Sequence, residues 1–446
     1  MLGLCHSSHD VLGIFVNTKL HAKWIGAAIF FAAPIAHAVD LGPLTITGFA
    51  KQEFSRASNI CNDCQVKPGE DRHRHWADDI TPGKTFGTDD ASGSLFQPYI
   101  ATKEFNLGKG WRVKALYSQR WRDGKVDIPG VVYEKNATVL HEDYGMLQLG
   151  AFPARGWSVA DYPYGTQIGV ADAWGASGSG YGLLGNAIRY SLPVRDVADG
   201  DLYLETTVDR GDSPSKVYKP LFVELYAQYV KGPWVFDVVA QDAKNGAPSA
   251  WSHGPFRGIT FDPSDDLKAT DDNRQRILMA MARYQYDAKT VLFGGVRFNS
   301  WSGARGTCTG IVPGTTNDCF YTPFFNVEAL DPTSTAHSAT STDISLGATY
   351  RIDQKWSLSA GMVHLGKAKT SNETPRGQSN TMTMNTLGVG YDIKPGLNVY
   401  AFTGMVNYKH KGLAPLSMPG HAAFSGVDSR VSKTGNWGGV GLVYTW

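Results

Sequence analysis

Val440-Gly441-Leu442-Val443-Tyr444-Thr445-Trp446 puts Val440, Leu442, Tyr444 and Trp446 on one face and Gly441, Val443 and Thr445 on the other. With a side-chain period of two, this is a strand with a greasy face and a thin face, finishing on an aromatic. A soluble terminal strand rarely stops on an exposed tryptophan. An outer-membrane barrel, by contrast, carries lipid-facing aromatics where the bilayer meets water. The expectation is therefore a membrane protein built from strands.

The amino end agrees. Lys19 and Lys23 precede an apolar stretch from Trp24 to Ala36, which runs into the small-residue pattern Ala36-His37-Ala38. Such a stretch is too short to cross a hydrocarbon core of about 30 Å as a helix, so residues 1–38 read as an export signal cleaved after Ala38. Residues 1–18 add nothing to a signal, and translation starting further downstream stays open. Residues 39–446 then form one domain, and any span in it has to be β.

Composition fits. Mean hydropathy is only −0.24, yet the chain holds 50 Gly, 20 Tyr, 20 Phe and 12 Trp. Outward apolar and inward polar side chains average out in a barrel, so hydropathy misses such spans. The formal charge is +1, and removing the leader with its two lysines and one aspartate leaves it near zero. Nothing here suggests nucleic acid as a partner.

About sixteen strands can be read between Leu44 and Trp446, among them Ser94 to Asn106, Trp111 to Arg122, Thr342 to Ile352 and Trp356 to Leu365. Tight joints such as Lys231-Gly232-Pro233, Asp287-Ala288-Lys289, Asp353-Gln354-Lys355 and Lys394-Pro395-Gly396 alternate with long connections. The longer ones include loop 1 at about 56–93, loop 3 at about 153–185, loop 5 at about 243–275 and loop 6 at about 302–341. Short turns at one end and long loops at the other are the asymmetry of an outer-membrane barrel, and a soluble sandwich has no reason for it.

Alternation then assigns the faces. In the third strand Arg112, Lys114, Ser118, Arg120 and Arg122 oppose Trp111, Val113, Ala115, Tyr117 and Trp121. A lipid-facing Arg or Lys at the bilayer midplane costs about 2 to 4 kcal/mol, so the basic face looks into the lumen. Asp343, Ser345, Thr349 and Arg351 face inward by the same rule, against Ile344, Leu346, Ala348 and Tyr350. The expected interior is polar and wet, and a barrel of sixteen strands is wide enough for an aqueous channel.

Gly145-Met146-Leu147-Gln148-Leu149-Gly150, a long insertion, then Asn186-Ala187-Ile188-Arg189-Tyr190 resemble the strand 5, loop 3 and strand 6 region of the general porins of Gram-negative bacteria. Leu44-Thr45-Ile46-Thr47-Gly48-Phe49, the Tyr391-Asp392 and Val399-Tyr400-Ala401 hairpin and the terminal aromatic are similar too. The resemblance is one of pattern and covers the mature chain. It implies a homotrimeric, sixteen-stranded barrel, a third loop folded inward to narrow the pore, and passive diffusion of small hydrophilic solutes. It also implies lipopolysaccharide around the barrel and assembly machinery that reads Trp446.

The chain departs from that family at the constriction. Ala151 stands where a basic residue is usual, with Arg155 four places on, and the insertion holds only Asp161 and Asp172 as acids among Trp157, Tyr162, Tyr164, Trp174 and Tyr181. The candidate cationic wall is Arg112, Lys114, Arg120, Arg122, Arg189, Arg297 and Arg351. A charge about 8 Å from a permeating ion contributes roughly 0.5 kcal/mol in water, so clustered cations give a mild anion preference. The alternative is that these cations pair with Glu53, Glu205, Glu224 and Asp237 and merely solvate the wall.

Cys61 and Cys64 fall in loop 1 and Cys308 and Cys319 in loop 6, an even number in an exported chain, so two local disulfides are the simplest expectation. A metal site with His73 and His75 has the wrong spacing for a zinc finger. No metal or other cofactor is expected. Catalysis is not expected either, because no nucleophile has a base at a defensible spacing. The serious rival is a substrate-specific uptake channel, in which the aromatic loop 3 and the acids Asp262, Asp265, Asp266, Asp271 and Asp272 of loop 5 grip a solute. A non-conducting structural barrel is the remaining alternative.

Overall fold

The computed structural model of the 446-residue chain describes residues 38–58, 89–126, 132–161, 183–210, 221–244, 274–304, 337–370, 381–409 and 434–446. The leader, all five cysteines and Asp172 lie outside the described residues.

The described chain forms a closed antiparallel barrel of sixteen strands. They are β1 (Leu44–Ser58), β2 (Asp89–Thr102, extended by Phe105–Gly108), β3 (Trp111–Ser118 and Trp121–Arg122) and β4 (Glu134–His141). Next come β5 (Gly145–Pro153), β6 (Leu183–Ser191), β7 (Gly200–Asp209), β8 (Leu221–Lys231), β9 (Trp234–Lys244) and β10 (Arg274–Gln285). The circuit ends with β11 (Thr290–Ala304), β12 (His337–Arg351), β13 (Trp356–Leu365), β14 (Met382–Lys394), β15 (Leu397–Tyr408) and β16 (Thr434–Thr445). A helix, α1 (Arg155–Asp161), follows β5.

Closure is made by β1 against β16, in register from Phe49↔Thr445 to Ser58↔Asn436. Trp446 and Gly48 complete it by exchanging two backbone hydrogen bonds of 3.1 Å. No sheet edge is left at the seam among the described residues.

The alternation read from the sequence sets the wall. Val440, Leu442 and Tyr444 are exposed on the outside of β16, while Gly441, Val443 and Thr445 face in. The thin face has a use, since the inward Tyr400 ring on β15 lies across Gly441, where a Cβ would sit 2.2 Å from the ring. In the reverse direction the Trp437 ring of β16 lies across Gly404 of β15, where a Cβ would sit 2.3 Å from it. Outside, Trp446 stacks on Phe96 at 5.7 Å and on Tyr444 at 5.9 Å. Trp111 and Tyr144 also stack, at 5.8 Å, and Trp356 meets Tyr391 at 4.7 Å, so the tight-turn end carries a belt of rings.

The tight turns have their own chemistry. Asp287 accepts the amides of Lys289 and Thr290 at 2.8 and 2.7 Å, and Asp353 accepts those of Lys355 and Trp356 at 2.7 and 2.8 Å. These amide bonds hold both carboxyls below the ordinary aspartate range, and each closes a turn on itself as an Asx motif.

Two strands differ from the sequence expectation. Ser94 to Asn106 is interrupted at Lys103 and Glu104, where Lys103 reaches Asp40 at 2.7 Å. Trp111 to Arg122 breaks at Gln119 and Arg120, in a run from Ser118 to Arg120 whose side chains are all buried. Gln119 accepts the Tyr133 amide, and Arg120 donates to Gln97 and to the Tyr133 hydroxyl.

Gly441→Leu tests the interlock. It should lower stability by about 1 to 3 kcal/mol through overpacking, measured as the urea midpoint of folding into vesicles, and in a Tyr400→Ala background the same substitution should cost little further.

Candidate functional site

The inner wall divides into sectors of different chemistry. From β5 to β9 it is ionic and carries α1. Glu224 of β8 accepts the backbone N–H groups of Arg155 and Gly156 at 2.7 and 2.8 Å, and the Gln241 amide at 2.6 Å. The Arg155 guanidinium donates to both oxygens of Glu205 on β7, at 2.6 and 2.8 Å, and lies over the Tyr226 ring. Arg189 of β6 sits 3.0 Å from Glu205 and 4.0 Å from Glu224, and donates to the Pro153 carbonyl and the Thr207 hydroxyl. Two arginines and two carboxylates thus satisfy one another within a buried patch. Breaking such a set by removing one member is what costs, about 3 to 5 kcal/mol.

This patch seats α1 inside the barrel. Val159 and Ala160 join one buried cluster with Tyr226, Val239 and Ile277, all inward-facing residues of β8, β9 and β10. Gly156 lets the helix come this close, since a Cβ there would stand 2.3 Å from the Gln241 amide nitrogen. The chain leaving β5 therefore turns inward and runs along the wall as far as β9. Asp161 ends the helix.

Between β11 and β12, Arg297 and Asp343 form a fully buried pair at 2.7 Å, and Asn299 donates to the same Asp343 oxygen at 2.7 Å. The other Asp343 oxygen accepts the Gly366 amide. Arg112 meets Glu104 at 2.9 Å and Arg351 meets Asp392 at 2.9 Å, both near the tight-turn end. Lys114 lies one inward step along β3 from Arg112, and Arg120 and Arg122 are buried on the inside further along. Close by, Lys51 and Glu53 of β1 lie 3.4 Å apart, and the Tyr400 hydroxyl donates to Glu53. The sequence brought together a set of cations. The geometry adds a carboxylate beside Arg112, Arg155, Arg189, Arg297 and Arg351.

What the sequence reading missed is an apolar sector. On β13 to β16 the inward residues toward the long-loop end include Val363, Leu365, Met382, Met384, Val406 and Tyr408, all buried. At the same height Thr383, Asn385, Asn407 and Asn436 point outward. Polarity is inverted there, apolar in and polar out. The signal was present in Thr403-Gly404-Met405-Val406-Asn407-Tyr408, where the polar members fall on the outward parity.

Neither a family model nor a curated protein matches the sequence. Solved structures do match. The anion-selective porin of Comamonas acidovorans superposes with a TM-score of 0.56 at 11% identity, over 90% of this chain and 99% of that one. OmpF of Salmonella typhi, in complex with daunomycin, gives 0.52 at 13% identity, over 92% of this chain and 100% of that one. The trimer form of OmpT from Vibrio cholerae gives 0.51 at 14%, over 91% and 100%. With a closed ring of sixteen strands and these likenesses over about nine-tenths of its length, the chain has the fold of the outer-membrane porins.

Proposed function

We propose that the chain forms a water-filled channel in the outer membrane, through which small hydrophilic solutes and ions diffuse passively, and that it assembles as a homotrimer. The observation that carries this reading is the closed sixteen-stranded wall with an exposed apolar outside and charged inner sectors. The likeness to porins, one of them solved in its trimer form, supports it.

Selectivity follows from how the charges are held. An arginine beside its carboxylate acts on a distant ion as a dipole, whose field decays faster than that of a lone charge. Arg155, Arg189 and Arg297, set against Glu205, Glu224 and Asp343, therefore contribute little to ion discrimination. We assign a mild anion preference to the summed charge of the β3 side of the lumen, where Arg112, Lys114, Arg120 and Arg122 outnumber the neighbouring Glu104 and Glu134. The buried apolar sector of β13 to β16 takes part of the circumference away from water, so the aqueous path is narrower than the strand number alone implies. In this reading α1 and the segment beyond it form the constriction, and Glu224 is its tether.

Reversal potentials in a potassium chloride gradient test the assignment. The Lys114→Ala, Arg120→Ala, Arg122→Ala triple variant should lower the chloride-to-potassium permeability ratio about twofold, and an unchanged ratio would remove the β3 wall from the account. In vesicle-swelling assays monosaccharides should enter faster than disaccharides, and no swelling with either would reject the diffusion pore. Glu224→Gln should cost about 1 to 3 kcal/mol in urea unfolding and should raise single-channel conductance as α1 loosens; conductance equal to the parent would show that α1 does not restrict the path.

A further inference from the structure

The inward cations of the wall are held in different ways. Arg112, Arg155, Arg189, Arg297 and Arg351 each have a carboxylate at 3.0 Å or less. Lys51 lies 3.4 Å from Glu53, and Arg120 donates to Gln97 and to the Tyr133 hydroxyl. Arg283 of β10 stands apart from these. It has the inward parity of Met279 and Met281, yet it makes no hydrogen bond, ion pair or ring contact among the described residues.

The ladder shows why no carboxylate answers it. Directly opposite Arg283 are Val235 on β9 and Phe293 on β11, both buried. On those two strands the acid closest along the ladder is Asp237, opposite Met281. Its Oδ1 already accepts the Tyr226 hydroxyl and the Gln228 amide, at 2.7 and 2.9 Å. Met281 and Val291 complete an apolar surround, while Arg283 itself is only partly buried, which leaves its fork open to the lumen.

Its position along the strand places it near one mouth. The next residue, Tyr284, meets Trp234 at 4.3 Å in the outer belt of rings at the tight-turn end. A guanidinium with no carboxylate beside it acts on a passing ion as a whole charge, and apolar neighbours strengthen that interaction by lowering the local dielectric. The planar fork also discriminates among anions. Its parallel donors match both oxygens of a carboxylate, whereas a spherical chloride gains nothing from the second donor.

We propose that Arg283 is a docking point, at the tight-turn mouth of the lumen, for the carboxylate of small organic anions, with Val235 and Phe293 as its apolar flanks. This deepens the reading of the chain as an anion-preferring channel, and rests on it, by naming a class of solute and the residue that engages it.

The test uses the full-length barrel in planar bilayers, with benzoate added at millimolar concentration to potassium chloride. Benzoate should lower the chloride current of the parent, and by different amounts from the two sides, as a site near one mouth requires. Arg283→Ala should raise the concentration for half-maximal reduction at least about fivefold. Arg283→Lys should raise it nearly as much, because an ammonium lacks the fork, while keeping the parent's chloride-to-potassium permeability ratio. No reduction in the parent, equal reduction in the alanine variant, or a lysine variant that responds like the parent would each overturn the proposal. Saturation-transfer NMR of benzoate on the detergent-solubilised barrel reads the same site without conduction. Transfer in the parent that disappears in Arg283→Ala supports the site even if no current flows, in which case the pore alone is rejected; no transfer in the parent counts against the site. Identical near-ultraviolet circular dichroism of parent and variants shows that all are folded.

Discussion

In a barrel that spans a membrane, as proposed above, every peptide group in the wall has to find its partner inside the protein, because hydrocarbon supplies none. That requirement explains why the chain's ends meet. β1 pairs with β16 from Phe49 to Ser58, and Trp446 exchanges hydrogen bonds with Gly48. With the ring closed, side-chain parity becomes a division between lipid and lumen, and the remaining features of the molecule follow from that division. The thin face of β16 lets the inward rings of β15 lie flat on the wall, so the closing strands are locked by packing as well as by their ladder.

The lumen shows the same logic applied to charge. Arginine in a confined interior is tolerated when a carboxylate answers it, and the clusters around Glu205 and Asp343 are built that way. Glu224 has a further task, since its two oxygens take the first amides of α1 and bring the chain after β5 onto the wall. The ionic patch thus holds the start of that connection against the inner wall. On the opposite side, β13 to β16 reverse their polarity toward the long-loop end, where the inner face becomes a packed core.

Much of this architecture was legible from the residues. Period-two alternation and the Asp-led turns at Asp287 and Asp353 gave all sixteen strands, because each depends on local chemistry that a single strand or turn displays. The break at Gln119 and Arg120 was not legible, since the partners of those side chains are Gln97 of β2 and Tyr133 just before β4, each distant in sequence. The inward cations were identifiable one strand at a time, but their partners were not: Arg189 meets Glu205 only when β6 lies beside β7, and Arg155 joins them only after the chain turns inward. The apolar inner sector was missed for a different reason. Parity tells which residues share a face, and it takes the neighbouring strands to tell which face is the lumen at a given height.

The closing pair is where the account is most exposed. Ala50 and Tyr444 are directly opposite in the β1–β16 ladder, both on the outer face, so cysteines there would have the roughly 5.5 Å Cα separation that a disulfide accepts. With the five native cysteines changed to serine, Ala50→Cys combined with Tyr444→Cys should cross-link nearly completely in folded, membrane-inserted protein, whereas Ala50→Cys with Val440→Cys should not. Cross-linking of the second pair in place of the first, or of neither, would contradict the closed register on which the wall, the lumen and the channel all depend.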